Sequence, residues 1–187
     1  EGTGYSYGFH GYWAKDWTTF DPNFGTAEEV KNMVEKAHQH GIRIVFDGVI
    51  NHTGPVTPQD AVWPENWVRT SPACDYKNYT NTTACTLVAN LPDTRTESEQ
   101  NVELPTALVE KWKKEGRYEQ EIKELDAFFA RTKYPRAPKY YIIKWLTDYI
   151  TEYGIDGYRA DTAKHIEEGV WAEFKKQCDY AFATWKK

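Results

Sequence analysis

Two segments of the chain follow one pattern, in which an amphipathic helix, a glycine and a short apolar run succeed each other. In the first, apolar residues at i, i+3, i+4 and i+7 predict a helix with one buried face: Val30, Met33, Val34 and Ala37. Thr26 and Glu29 form a capping-box pattern at its start, and Gly41 provides its end. The run IRIVFDGVIN at 42–51 follows at once, which is typical of a parallel strand buried on both faces.

The second segment repeats this pattern later in the chain. Pro138 suits the first turn of a helix and Gly154 its end, and an apolar stripe lies between them: Ile142, Trp145, Leu146, Tyr149 and Ile150. IDGYRAD at 155–161 follows as a strand, and another amphipathic helix extends from Glu167 to about Trp185. Two helix–strand units of this kind predict an α/β fold with a parallel sheet.

A long excursion separates the two units. Residues 53–100 are rich in Pro, Thr, Asn and Asp and predict loops. Residues 105–132 show a helical pattern with an apolar side: Ile122, Leu125, Phe128 and Phe129. Because loops of this length on a compact α/β unit usually carry function, we interpret 53–135 as an insertion on one βα connection.

The composition is that of a globular protein, with 40% hydrophobic and 27% charged residues. The net charge of −5 argues against a nucleic-acid partner, which normally requires a basic face. No apolar run approaches the roughly 20 residues of a membrane helix, so no membrane partner is expected. The first residues show no signal-peptide pattern, which fits a cleaved signal as well as a start inside a longer chain.

The aromatic share, 16%, is high and has two interpretations. One is a large core with Tyr and Trp tips that reach hydrogen-bond partners, and composition alone favours it. The other is a surface that stacks on the apolar faces of sugars. The three cysteines divide into a pair and a single residue, because Cys74 and Cys85 bracket the polar stretch CDYKNYTNTTAC. A disulfide there would suit an oxidising compartment, whereas Cys178 lies in a helical pattern and is expected to be a packed thiol.

Polar side chains crowd the end of each predicted strand. Because side chains alternate along a strand, Arg159 and Asp161 should share one face, as should Asp47 and Asn51. Three more polar residues follow the strands directly or by a short loop: His52, Lys164 and His165. Each of these alone is more often a helix cap or a turn residue. Together they favour a functional site, because ligands meet parallel sheets at the carboxyl ends of the strands.

Four motifs, in this order along the chain, resemble the α-amylase family of glycoside hydrolases. GFHGYWAKDW at 8–17 is similar to the family's loop after strand two, and DGVINHTG at 47–54 to its strand-three motif. NLPDTRTE at 90–97 is similar to the calcium loop, and GYRADTAKH at 157–165 to the strand-four motif. The likeness is greatest to bacterial periplasmic α-amylases.

The resemblance implies a fold that the strand count alone does not specify. Residues 1–187 would be a partial catalytic domain of the (β/α)8 TIM-barrel type, from the end of strand 2 to helix 4. The insertion at 53–135 would lie between strands 3 and 4 of that barrel. The remainder of its own barrel would then be the chain's first partner.

The resemblance also implies a role for each matched residue. Asp161 matches the nucleophile, Arg159 its fixed partner, and Asp47 a structural carboxylate at the barrel centre. Tyr12 matches an aromatic residue that stacks on the sugar at the cleaved bond, and His52 a residue that binds its hydroxyl groups. The other matched substrate-binding residues flank that pocket or line the acceptor side: His10, Trp13, Lys164 and His165.

A structural Ca²⁺ is a further implication of the resemblance. Asn51 and Asp93 match its side-chain ligands, and His165 matches a ligand that binds through its backbone carbonyl. All three supply the oxygen donors that Ca²⁺ requires. Such an ion would tie the 53–100 loop to both strand ends.

The implied activity is endo-hydrolysis of α-1,4-glucosidic bonds in an α-glucan, starch or maltodextrin, by a retaining double displacement. This mechanism needs a second carboxyl group about 5–5.5 Å from the nucleophile. In the family that acid/base comes from strand five, so the 187-residue piece is expected to be inactive alone. A periplasmic or secreted bacterial location is expected, because starch polymers do not cross membranes.

Two alternatives remain open at this point. One is a catalytically silent sugar-binding or scaffold protein on the same fold. The other is a glucosidase or glucanotransferase that acts on short maltodextrins.

Overall fold

The computed structural model describes residues 11–54, 63–77, 81–87 and 91–185. It contains five helices and four strands in these residues. In chain order they are α1 (Ala27–Gln39), β1 (Val45–Gly48), β2 (Val68–Arg69), β3 (Asp93–Thr94), α2 (Thr106–Lys114), α3 (Tyr118–Thr132), α4 (Pro138–Tyr153), β4 (Gly157–Ala160) and α5 (Glu168–Thr184). A 3₁₀ turn, Ala163–His165, lies between β4 and α5. No helix in these residues is long and apolar enough to cross a membrane.

The two predicted strands pair with each other in parallel, which confirms the α/β interpretation. The register places Phe46 opposite Tyr158 and Asp47 opposite Arg159. Helices α1, α4 and α5 cover one face of this pair, where Phe46 and Tyr158 pack against Val34, Ile150 and Ala181. A closed barrel is not formed by the described residues, whose parallel sheet has two strands.

The prediction of a strand buried on both faces over 42–51 is wrong for the described structure. The strand is limited to Val45–Gly48, and Val45 is 57% exposed. Side chains alternate across a strand, so Val45 and Asp47 point away from the helices. Among the described residues no helix covers that second face of β1, and Val45 therefore remains accessible.

The helix boundaries follow the predicted caps. Thr26 and Glu29 make the reciprocal capping box at the start of α1, and Gly41 follows that helix with φ +71°. Gly154 ends α4 at φ +69°, a backbone conformation that costs glycine little. Helix α5 begins one residue later than predicted, with Glu167 as its N-cap.

The insertion differs from its predicted single helical stretch. Gly116, at φ +70°, separates two helices, α2 and α3. A short antiparallel pair, β2–β3, was not predicted, because two residues carry no alternation that a sequence pattern could show. The disulfide between Cys74 and Cys85 is present and closes a loop with a sequence separation of 11. Cys178 is half-buried and packed, and burial raises the pKa of its thiol to about 12.

Much of the aromatic content lies in the core, as composition favoured. Five tryptophans are buried there: Trp17, Trp63, Trp67, Trp112 and Trp145. Trp145 of α4 stacks between two of them, with ring centroids 6.2 Å from Trp17 and 6.2 Å from Trp67. This stack joins the insertion, α4 and the segment before α1 into one apolar cluster.

Candidate active site

Arg159 bridges two carboxylates at the carboxyl ends of β1 and β4. Its Nη1 donates to Asp161 Oδ1 across 2.9 Å and lies 3.3 Å from Asp47 Oδ1. The backbone N–H of Asp161 also donates to the carbonyl of Gly48, 3.1 Å away, which extends the ladder by one residue. The proximity of Asp47, and then of Asp161, raises the pKa of the Arg159 guanidinium. The predicted shared face of Arg159 and Asp161 is confirmed, and Asp47 of the paired strand meets them there.

Tyr12 joins this group from the segment before α1. Its hydroxyl donates to Asp47 Oδ2, and that hydrogen bond is the main reason that the pKa of Tyr12 is raised. The backbone of Ala14 forms a parallel bridge with Thr53, and Trp13 packs closely on Gly54, where an added Cβ would lie 3.3 Å from Trp13 Cβ. The structure thus brings Tyr12 and Trp13 to the same edge as the strand-end carboxylates.

His52, the residue after Asn51, is buried near Asp161 and is 3% exposed. Burial lowers the pKa of its imidazole, and the charge of Asp161 opposes this only in part. A neutral ring can accept as well as donate a hydrogen bond, which suits a residue that binds sugar hydroxyls. His10 lies outside the described residues.

Lys164 and His165 occupy the 3₁₀ turn after β4 and differ in exposure. The Lys164 ammonium is exposed and lies 5.5 Å from the centre of the Tyr76 ring. His165 is 3% exposed, and its Nδ1 lies 2.7 Å from the carbonyl oxygen of Thr82, so that nitrogen donates. Both residues therefore contact the loop that Cys74–Cys85 closes. Tyr76, also within that loop, was not predicted, because nothing in the sequence pairs it with the 3₁₀ turn.

Three oxygen-bearing groups predicted to bind Ca²⁺ converge below the strand ends. One terminal atom of the Asn51 amide lies 3.1 Å from the His165 carbonyl oxygen and 3.2 Å from Asp93 Oδ1. If this atom is nitrogen, it donates to both; if it is oxygen, the three form an oxygen cluster of the kind that a calcium ion binds. Asn51 and Asp93 are each 1% exposed.

The surroundings of Asp93 fit a cation. Burial raises the pKa of its carboxyl group to about 8, although nearby Arg69 acts in the opposite direction. Arg69 Nε lies 3.0 Å from Asp93 Oδ2, yet Oδ2 makes no hydrogen bond within the described residues. Arg69 thus balances charge at Oδ2, while Oδ1 faces the Asn51 amide, which also lies beside the His165 carbonyl. The oxygens of Asn51, Asp93 and His165 are donors of the type that a hard divalent cation prefers.

A second group of possible metal ligands is not suited to bind a metal ion. Cys74, Cys85 and His165 lie close together, but the two sulfurs are bonded to each other and supply no thiolate. Glu167, at the start of α5, accepts a hydrogen bond from Thr96 Oγ1 across 2.7 Å and so anchors the segment 91–97 to that helix. This contact joins 91–97 to α5 independently of any ion.

Comparison with known proteins identifies the family of the chain. The sequence model of the family described as "Alpha amylase, catalytic domain" matches residues 5–182. The periplasmic alpha-amylase of Escherichia coli (strain K12) is 30% identical over 232 residues, with 97% of this chain and 32% of that protein covered. An alpha-amylase of Saccharomycopsis fibuligera is 27% identical over 179 residues, which cover 93% of this chain and 30% of that protein.

Solved structures show the same relationship. The crystal structure of an alpha-amylase from Geobacillus thermoleovorans, complexed with acarbose, matches with a TM-score of 0.63 and 27% identity, covering 93% of this chain and 31% of that one. The chain spans about a third of the length of these relatives. The parallel β1–β4 unit is thus part of a TIM-barrel fold. The match to the family model and the identity with its relatives show that the chain belongs to the α-amylase family of glycoside hydrolases.

Proposed function

We propose that the whole protein cleaves internal α-1,4-glucosidic bonds of starch or maltodextrin with retention, and that this chain supplies the nucleophile, Asp161. The observation that carries the proposal is the Arg159 contact, 2.9 Å from Asp161 Oδ1. A guanidinium at this distance makes a charge-assisted hydrogen bond to the carboxylate and fixes its orientation for attack. The Geobacillus thermoleovorans relative, solved with acarbose, supports a carbohydrate substrate.

The remaining residues have distinct roles in this proposal. Asp161 attacks the anomeric carbon and forms the glycosyl–enzyme, which water then hydrolyses. Tyr12 stacks on the sugar at the cleaved bond, and neutral His52 binds its hydroxyl groups. On the acceptor side, exposed Lys164 meets the leaving part of the glucan beside His165, while Trp13 and His10 flank the pocket. This assignment places the chain between the end of barrel strand 2 and helix 4, with 53–135 as the inserted region.

A general acid must protonate the leaving oxygen, and we assign it to strand five of the whole barrel. Asp47, the second carboxylate beside Arg159, accepts a hydrogen bond from the Tyr12 hydroxyl and is thereby occupied as a structural group. The 187 residues alone should therefore bind sugar weakly and turn over none. The remainder of the barrel would cover the exposed face of β1 and supply the acid.

Calcium and location follow from the same assignment. Bound Ca²⁺ would supply structural charge balance at Asn51, Asp93 and the His165 carbonyl, holding the inserted loop against both strand ends. The Cys74–Cys85 disulfide supports a periplasmic or secreted location, since such bonds persist in oxidising compartments. The E. coli relative is named as periplasmic, in agreement with this proposal.

The test uses the whole protein and its Asp161→Asn variant on soluble starch with Ca²⁺. We expect the variant to lose roughly a thousandfold or more of the reducing-sugar release. The matched control is Asp179→Asn, an acid of α5 that pairs with Lys175 on the surface and should retain full activity. NMR of the first products should show the α-anomer, and viscosity should fall early.

Other results would favour the alternatives. Sugar binding without turnover would indicate a silent binding or scaffold protein. Release of glucose alone, or transfer to a second maltodextrin, would indicate a glucosidase or a glucanotransferase. Full activity in Asp161→Asn would refute the nucleophile assignment.

A further inference from the structure

Residues 11–20 form the aromatic loop, which carries Tyr12 and Trp13, and a buried carboxylate lies at its middle. The side chain of Asp16 is 4% exposed. Its Oδ1 accepts from the backbone N–H of Thr18 at 2.8 Å and from the Thr18 hydroxyl at 2.6 Å. Its Oδ2 accepts from Lys111 Nζ at 2.7 Å and from Arg117 Nη2 at 3.3 Å. One carboxylate oxygen thus shapes the loop, and the other binds two cations.

Both cations belong to the inserted region. Lys111 lies in α2, and Arg117 is the residue before α3. Arg117 Nη1 also donates to the Thr18 hydroxyl across 3.0 Å, so the loop and the insertion share a small polar network. Burial raises the pKa of Asp16, but the hydrogen bonds from Lys111 and Thr18 outweigh it, and the pKa lies below its usual range. The carboxylate is therefore ionised at neutral pH.

The next residue fixes the loop to the sheet and to α4. Trp17 Nε1 donates to the Val49 carbonyl, and the Tyr149 hydroxyl donates to the Trp17 carbonyl, each across 2.8 Å. Before Asp16, the loop runs to the Ala14 backbone bridge and to Tyr12, whose hydroxyl reaches Asp47. Asp16 therefore lies at the joint between the anchored part of the loop and the part that reaches the strand-end carboxylates.

We infer that Asp16 is a positioning residue. Through its contacts with Lys111 and Arg117, the α2–α3 insertion sets the placement of Tyr12 over Asp47 and Asp161. This inference rests on the proposed function, in which Tyr12 stacks on the sugar at the cleaved bond. It gives the insertion a role in the reaction although the insertion itself supplies no reacting group. We call the contacts of Asp16 with Lys111 and Arg117 the clamp. Loss of the clamp should loosen residues 11–15 and misplace Tyr12, while the β1–β4 pair and its carboxylates stay in place.

The first measurement is amide hydrogen exchange of the ligand-free whole protein. Asp16→Asn should speed exchange at least tenfold in residues 11–15, with β1 and β4 unchanged. The matched control is Asp126→Asn, which removes the ion pair of α3 with Arg136 and should leave 11–15 at the wild-type rate. If Asp16→Asn does not fold, Lys111→Met tests the same point, since it leaves Asp16 with Arg117.

The second measurement is kcat/KM on soluble starch in a double-mutant cycle. Asp16→Asn should lower kcat/KM about tenfold to a hundredfold, as expected for misplacement of a substrate-contacting group. In a Tyr12→Ala background the same change should have an effect within about twofold, because the residue that Asp16 positions is already absent.

Two results would overturn the inference. One is unchanged exchange at 11–15 in Asp16→Asn. The other is independent, multiplying losses of kcat/KM in the cycle, as a general loss of stability would produce. If the wild-type protein does not hydrolyse starch, the proposed function fails; faster exchange confined to 11–15 would then still support the clamp, and unchanged exchange would refute it.

Discussion

Asp47 and Arg159 lie directly opposite each other in the parallel β1–β4 pair, and Arg159 Nη1 is 3.3 Å from Asp47 Oδ1. The same guanidinium nitrogen holds Asp161, so one exposed cation serves two carboxylates from neighbouring strands. Its side chain is 58% exposed, and it contributes little to the packing of the core. This separation between electrostatic and packing roles makes Arg159 a sharp test of the site.

Arg159→Met should lower kcat/KM of the whole protein roughly a hundredfold to a thousandfold, because the cation that stabilises the nucleophile is lost. Its thermal midpoint should stay close to that of the wild type. Arg43→Met is the matched control. Arg43 is an exposed arginine that pairs with Asp156, and both residues lie at the amino ends of β1 and β4, away from the site. A large fall in thermal midpoint with unchanged kcat/KM would contradict the role given to Arg159.

The disulfide loop should support the cation site through His165. Thr82 lies between Cys74 and Cys85, and its backbone carbonyl accepts a hydrogen bond from His165 Nδ1, while the His165 carbonyl faces Asn51. The paired Cys74→Ser and Cys85→Ser variant should lose about 3 kcal/mol of unfolding free energy, as expected for a closed loop of this length. Its affinity for Ca²⁺, measured by competition with a chelator dye, should fall as well. Cys178→Ser is the control, and an equal loss of affinity there would contradict the coupling.

Local signals made the helix–strand units predictable. Each of these signals depends on a few neighbouring residues: the capping box of Thr26 and Glu29, the helix-ending Gly154, and the alternation of side chains that puts Arg159 and Asp161 on one face. The position of Asp47 near the end of its strand likewise predicted that it would lie at the same edge. These features need no knowledge of distant partners, so the sequence pattern was sufficient.

Long-range features could not be predicted in this way. The Asp16 contacts with Lys111 and Arg117 join residues about a hundred positions apart, and no periodicity relates them. Arg69 meets Asp93 only because β2 and β3 pair, which two-residue strands do not signal. The exposure of Val45 was mispredicted because burial depends on what covers the second face of a strand, not on its own apolar run.

Replacement of Asp93 should raise the unfolding free energy in the absence of Ca²⁺ and reduce the gain in unfolding free energy that Ca²⁺ gives. Without Ca²⁺, Asp93→Asn should raise the unfolding free energy by about 1–3 kcal/mol, because the burial cost that raises the pKa of this carboxyl group is removed while Arg69 keeps its ion pair with Glu97. With Ca²⁺ at about a hundred times its Kd, the wild type should gain about 2.7 kcal/mol, and the variant much less. Thermal unfolding in chelator and in Ca²⁺ measures both differences. Equal Ca²⁺-dependent gains in the two proteins would exclude Asp93 as a ligand.

Stability should also depend on pH through a second acid, the half-buried Asp148 of α4. Burial raises the pKa of its carboxyl group to about 7, although Lys144 Nζ lies 2.6 Å away and acts in the opposite direction. Other carboxylates face the same small cavity from α3 and α4: Glu121, Glu124 and Glu152. Burial likewise raises the pKa of Glu121 and Glu152, whereas hydrogen bonds from Gln120 and Lys144 lower that of Glu124.

The sign follows from proton binding. Between about pH 4 and 7 the folded protein binds the Asp148 proton more tightly than the unfolded chain does, so its contribution to stability is largest at low pH and declines as pH rises. Each step of one pH unit in that window costs up to about 1.4 kcal/mol of unfolding free energy. Urea unfolding from pH 4.5 to 8 should therefore show two different profiles. The Asp148 contribution lowers the unfolding free energy of the wild type as pH rises, whereas in Asp148→Asn the unfolding free energy should decline less or rise. Asp179→Asn, which removes an exposed acid paired with Lys175, should retain the wild-type profile. Parallel profiles for the wild type and Asp148→Asn would show that Asp148 is ionised in the folded protein throughout this range.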